Sequence, residues 1–100
     1  MSRTLLIVSG GVEALPGIEL AKSMGLYVVV SDMNSDAPGF AVADDQLLAS
    51  TYDVEATVAA ARAYHEQVRP LDGVMCIASD VPLTVASVAA ALGLPGIPVE

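Results

Sequence analysis

The sequence predicts a doubly wound α/β domain with a parallel sheet, on three observations. Thr4-Leu5-Leu6-Ile7-Val8, Leu26-Tyr27-Val28-Val29-Val30 and Gly73-Val74-Met75-Cys76-Ile77-Ala78 are branched, largely apolar runs without polar alternation, and strands of that kind need cover on both faces. The segments between them repeat apolar residues at helical spacing. The first run ends in Ser9-Gly10-Gly11, where glycine allows a sharp turn and a close approach of backbone to a ligand.

The elements follow in order. After the first strand and its glycine turn, Pro16 can open a helix at its first position. Ile18, Leu20, Ala21 and Met24 form its broad apolar face, Glu19, Lys22 and Ser23 turn to water, and Gly25 suits a left-handed cap. The second strand ends at Ser31-Asp32, completing a strand–helix–strand unit of about thirty residues. Met33 to Ala43 reads as loop, with Asp36-Ala37-Pro38-Gly39 as its turn and a short helical turn over Phe40 to Ala43. Asp45-Gln46-Leu47-Leu48-Ala49 is a third, less apolar strand, expected near a sheet edge. Asp53 caps a helix from Val54 to about Val68, with Glu55 placed to favour the helix dipole. Val54, Val58, Ala61, His65 and Val68 form its stripe, and Pro70 stops it. A fourth strand spans Gly73 to Ala78. The last helix starts at Pro82, carries Val85, Val88, Ala89 and Leu92 at helical spacing, and ends at Gly93.

Composition narrows the partners. One hundred residues make one domain, residues 1–100, able to bury roughly two thirds of the surface its unfolded chain exposes. A net charge of −8 argues against nucleic acid or an anionic membrane surface, both of which need a basic patch. Cys76 is the one cysteine; inside an apolar strand it reads as a small buried hydrophobe, and a reducing cytoplasm is the simplest compartment. The uncharged stretch from Val81 to Val99 is broken by three prolines and two glycines, which does not suit a membrane span. His65, the one histidine, reads as a helix-boundary residue rather than a base, because a helix covering a sheet lies away from the strand ends where ligands bind.

This order suits a four-stranded sheet in spatial order 3-2-1-4 with helices on both faces, a Rossmann-like half. Strand addition reverses between the first and fourth strands, and the crevice there is the expected ligand site. Ser9, Gly10 and Gly11 line it from one side and Ser79 and Asp80 from the other, with Asp32 flanking it. A dinucleotide site needs spaced glycines followed by an acid about twenty residues on. Asp32 has the distance, but Ser9-Gly10-Gly11-Val12-Glu13-Ala14 lacks the spacing and brings a carboxylate. A phosphorylated-aspartate receiver is excluded, since Ser9-Gly10 and Ser50-Thr51 stand where it needs acids. The bland alternative is a tight turn with Asp32 and Asp80 capping loops. No catalytic residue and no metal-ligating set is expected in the chain.

These motifs resemble the N-terminal domain that precedes the ATP-grasp module in ligases such as biotin carboxylase, glycinamide ribonucleotide synthetase, carboxyaminoimidazole ribonucleotide synthetase and the carbamoyl phosphate synthetase large subunit. The resemblance rests on the glycine turn, Gly25-Leu26 leading into Val28-Val29-Val30-Ser31-Asp32, Asp36-Ala37-Pro38-Gly39, Ala43-Asp44, Tyr52-Asp53, Asp72-Gly73-Val74 and Gly93-Leu94-Pro95-Gly96. It implies an enzyme that uses ATP and Mg²⁺ to make an acyl phosphate for attack by an amine or other nucleophile. This domain would form one wall of the acceptor site, with the Gly10 and Gly11 amides facing a carboxylate or phosphate and Asp32, Ser79 and Asp80 beside it. ATP and Mg²⁺ would be held by a downstream ATP-grasp module of the same chain, leaving these hundred residues inactive alone. The extended ending, Leu94 to Glu100, accordingly reads as a cut. Several members carry a glutamate where this chain has Ser79-Asp80, and none of Arg3, Arg62 and Arg69 lies on the crevice loops; both departures bear on the acceptor's identity. Two other readings stay open: a free-standing nucleotide or dinucleotide module, and a non-catalytic interaction domain forming a homodimer through Leu94 to Val99.

Overall fold

The structure is a computed structural model describing residues 3–50, 52–76 and 82–94. β1 (Thr4–Val8) leads through a 3-10 turn (Val12–Ala14) into α1 (Leu15–Ser23) and β2 (Tyr27–Asp32). α2 (Pro38–Val42), β3 (Asp45–Leu48), α3 (Val54–Gln67), β4 (Gly73–Cys76) and α4 (Pro82–Leu92) follow. The strands are parallel in the order β3-β2-β1-β4, as the alternation of strands and helices predicts. Val8 lies between Ser31 and Cys76, so the ends of β1, β2 and β4 share one rim.

Two apolar layers sandwich the sheet. On one face Ile7, Val28 and Val30 pack with Ala14, with Ile18 and Ala21 of α1, and with Phe40 of α2. On the other, Leu6, Val8, Val29 and Val74 pack with Ala61 and Tyr64 of α3 and Val85 and Val88 of α4. Successive strand side chains point to opposite faces, so a strand covered twice is apolar through its middle, and the buried polar residues Thr4 and Ser31 fall toward the strand ends.

Aspartates close the strand ladders where backbone partners run out. Asp72 Oδ2 accepts from Thr4 N at 2.7 Å, and Asp44 Oδ2 from Val28 N at 2.8 Å. In return, Thr4 O accepts from Asp72 N and Val28 O from Asp44 N. These charge-assisted bonds satisfy amides at the entries of β1 and β2.

Several elements differ from their sequence readings. α1 begins at Leu15 after the 3-10 turn, so Pro16 is its second residue rather than its first. Its apolar face is narrower than the spacing suggests: Ile18 and Ala21 are buried, but Leu20 and Met24 are 62% and 68% exposed. They line an open groove of about 220 Å³ with Leu5, Leu26 and Met75, beside β4. The segment after β2 becomes helical at Pro38, not Phe40, because Pro38 supplies a helix-ready φ at the first position. β3 stops at Leu48 and alternates half-buried with exposed residues, as an edge strand does.

The buried stripe of α3 is Thr57, Ala61 and Tyr64, while Val68 is 65% exposed. Polar tips turn inward because each finds a partner: Thr57 Oγ1 donates to Ser50 O and Tyr64 Oη to Asp45 Oδ2, at 2.7 and 2.9 Å. Asp53 caps α3 as predicted, accepting from Ala56 N at 3.0 Å. The expected continuation of β4 through Ile77 and Ala78, and the tail beyond Leu94, lie outside the described residues.

Candidate functional site

The glycine turn lies at the rim shared by the ends of β1, β2 and β4. Ser9 has a φ of +80°, a left-handed conformation that few non-glycine residues adopt. Two bonds hold it: Ser9 N donates to Ser31 O at 2.7 Å, and Gly10 N donates to Asp32 Oδ2 at 2.9 Å. The other oxygen of Asp32 accepts from Asn34 N at 3.0 Å. Asp32, read from sequence as flanking a ligand, thus binds the turn itself. Gly10's amide, expected to face a ligand, is given to that carboxylate.

Gly10 is also a point of contact between two backbones. A Cβ there would sit 2.6 Å from Val30 Cγ1, and one on Gly39 would come within 2.8 Å of Gly10 Cα and O. Gly39 N donates to Gly10 O at 2.7 Å, so α2 is fastened directly to the turn. Gly39 was legible only as a turn residue. The signal for a larger role is a glycine inside a helix, where it costs about 1 kcal/mol relative to alanine. Gly11 differs: its φ is −65°, and a Cβ there meets nothing within 4 Å among the described residues. Of the six predicted site residues, Ser9, Gly10, Gly11 and Asp32 come together, while Ser79 and Asp80 lie outside the described residues.

Other charged and titratable groups lie elsewhere. Lys22 Nζ donates to Val42 O at 2.8 Å and stands 3.7 Å from Asp44 Oδ1. Arg69 stacks 3.7 Å above the Tyr27 ring at the opposite end of the sheet. His65 Nδ1 accepts from Leu71 N at 2.9 Å, fixing the connection into β4. Burial, then the hydrogen bond to Asp45, raise the Tyr64 phenol well above its ordinary value and keep it neutral. Among the described residues no group of three or more His, Cys, Asp or Glu side chains could hold a metal ion. No helix there is long and apolar enough to cross a membrane.

A sequence model of the ATP-grasp N-terminal domain matches residues 18–96. The chain belongs to this family. The matched segment begins after the glycine turn and includes Asp32, Ser79 and Asp80. This ATP-grasp N-terminal domain superimposes on an L-amino acid ligase from Bacillus licheniformis with a TM-score of 0.76 and 25% identity, over 97% of this chain and 25% of that one. A phosphoribosylglycinamide synthetase from Anaerococcus prevotii follows at 0.75 and 18%, over 90% and 22%. An N5-carboxyaminoimidazole ribonucleotide synthetase from Thermotoga maritima gives 0.67 and 23%, over 91% and 23%. The domain therefore spans about a quarter of the length of these solved structures. Among curated protein sequences none matches.

Proposed function

We propose that residues 1–100 are the N-terminal domain of a longer ATP-dependent ligase and form one wall of its acceptor-substrate site. The supporting observation is that nearly the whole chain superimposes on a quarter of three ligases, two of them named for nucleotide precursors and one for amino acids. In this reading the acceptor, a small carboxylate or amine, approaches the rim at the end of β1 beside Gly11, and Ser79 and Asp80 are its further proposed contacts. The remainder of the parent chain activates the carboxylate as an acyl phosphate, in the manner of the carbamoyl phosphate synthetase branch. The described residues do not fit MgATP. Phosphoryl transfer needs cations around the phosphates, and the one lysine is tied to Val42 O beside Asp44. ATP and Mg²⁺ are assigned to the downstream module, in a reducing cytoplasm where Cys76 remains a thiol.

The test is ADP release by the complete open reading frame, given carboxylate and amine substrates in pairs, beside the 100-residue chain alone. Pair-dependent turnover by the whole chain and none by the domain is expected. Mg²⁺-dependent turnover by the domain alone would overturn the reading. A dinucleotide module is disfavoured by the turn itself, Ser9-Gly10-Gly11-Val12-Glu13-Ala14, which lacks the spaced glycines and brings the Glu13 carboxylate where a pyrophosphate would lie.

A further inference from the structure

We propose that Asp32 is a positioning residue of the acceptor wall: its carboxylate serves as the built-in ligand of the glycine turn and thereby sets where Gly11 faces the substrate. The inference rests on the ligase reading above and deepens it.

A carboxylate offers about four lone-pair sites on two oxygens. Oδ2 of Asp32 is taken by Gly10 N at 2.9 Å and Oδ1 by Asn34 N at 3.0 Å, so each oxygen already answers one backbone donor. Half of its acceptor capacity is thus committed to holding the chain around the turn. The turn in turn depends on this carboxylate. Ser9 sits at φ +80°, a conformation that persists where surrounding contacts over-determine it, and the Gly10 bond is one of two that do so. Gly39 N, bonded to Gly10 O at 2.7 Å, extends the same unit into α2. Turn, strand end and α2 are therefore fixed together around one side chain. Gly11, where an added Cβ would meet none of the described residues within 4 Å, is the part of the turn left open.

An asparagine at position 32 keeps one acceptor oxygen but turns an NH₂ toward the second amide, so one donor loses its partner while side-chain volume is unchanged. Two measurements separate this inference from the ligase reading. In the 100-residue chain, Asp32→Asn should speed hydrogen exchange at the Gly10 or Asn34 amide at least tenfold, with the β1–β2 amides unchanged. Added NADH should leave the wild-type Gly10 and Asn34 resonances in place. In the complete chain, with L-amino acids as acceptors, Asp32→Asn should raise the acceptor KM at least tenfold and leave the ATP KM within twofold, with Asp32→Ala worse. Saturable movement of both amides by NADH would overturn the proposal, since the carboxylate would then serve a ligand. So would a wild-type acceptor KM in Asp32→Asn. Absence of any acceptor-dependent ADP release by the wild-type complete chain strikes the ligase reading instead, and the exchange result still decides the built-in bond.

Discussion

The contact between Gly10 and Gly39 makes a sharp prediction about alanine at three nearby glycines. At Gly39 a methyl group would lie 2.8 Å from both Cα and O of Gly10. Carbon atoms are at ease about 3.5–4.0 Å apart, so backbone on one side must retreat by roughly 0.7 Å. Neither side is a flexible side-chain end, and the retreat strains the 2.7 Å bond from Gly39 N to Gly10 O. Overpacking of this kind costs about 1–3 kcal/mol, and the better helix propensity of alanine returns up to about 1 kcal/mol. The net loss, centred on about 1.5 kcal/mol, lowers the midpoint of a 100-residue domain by roughly 6–12 °C. Gly10→Ala meets the buried, β-branched Val30 at 2.6 Å and should fall in the same range. Gly11→Ala meets none of the described residues and should be neutral or raise stability by up to about 0.5–1 kcal/mol, because alanine narrows the unfolded ensemble. Thermal unfolding followed by circular dichroism reads all three. Equal midpoints for Gly39→Ala and Gly11→Ala would refute the claim that α2 and the turn touch through their backbones.

Three further outcomes follow from the packing. Tyr64→Phe should cost about 0.5–1.5 kcal/mol at neutral pH through the lost bond to Asp45. The Tyr64 phenol is raised in the fold above its unfolded value near 10. Its share of stability is thus whole below about pH 10 and lost as pH climbs toward the folded value; wild type should lose more stability than Tyr64→Phe in that alkaline window. Asp53→Ala removes the side-chain acceptor for Ala56 N and should destabilise by about 1 kcal/mol in denaturant titration. Leu20→Ser and Met24→Gln, on exposed positions of α1, should leave the domain's denaturation midpoint within about 0.5 kcal/mol of wild type, whereas Ile18→Ala should cost 2 kcal/mol or more.

Strand order and element types were legible because burial on both faces leaves an unbroken apolar run in sequence. That signal weakens where one face is open. Leu20 and Met24 look like core by spacing, yet α1 covers β1 and β2 and leaves the flank beside β4 bare. The α3 stripe shifted for the opposite reason: Thr57 and Tyr64 look like surface until their partners, Ser50 O and Asp45, are known. At the rim, the residue types Ser9, Gly10, Gly11 and Asp32 were readable, but the distribution of bonds among them was not. Spacing can bring Asp32 to the turn; only geometry gives its carboxylate to Gly10 N and Asn34 N. Gly39 is the clearest loss, since a contact between two glycine backbones about thirty residues apart leaves no pattern in either segment.

Gly11 tests the central claim most directly, because a Cβ added there meets none of the described residues within 4 Å. In steady-state kinetics of the complete chain with L-amino acids, Gly11→Leu should raise the acceptor KM tenfold or more, hold the ATP KM within twofold and keep the wild-type melting temperature. An ATP KM that rises with it, or an acceptor KM that does not move, would contradict the assignment of this rim to the acceptor.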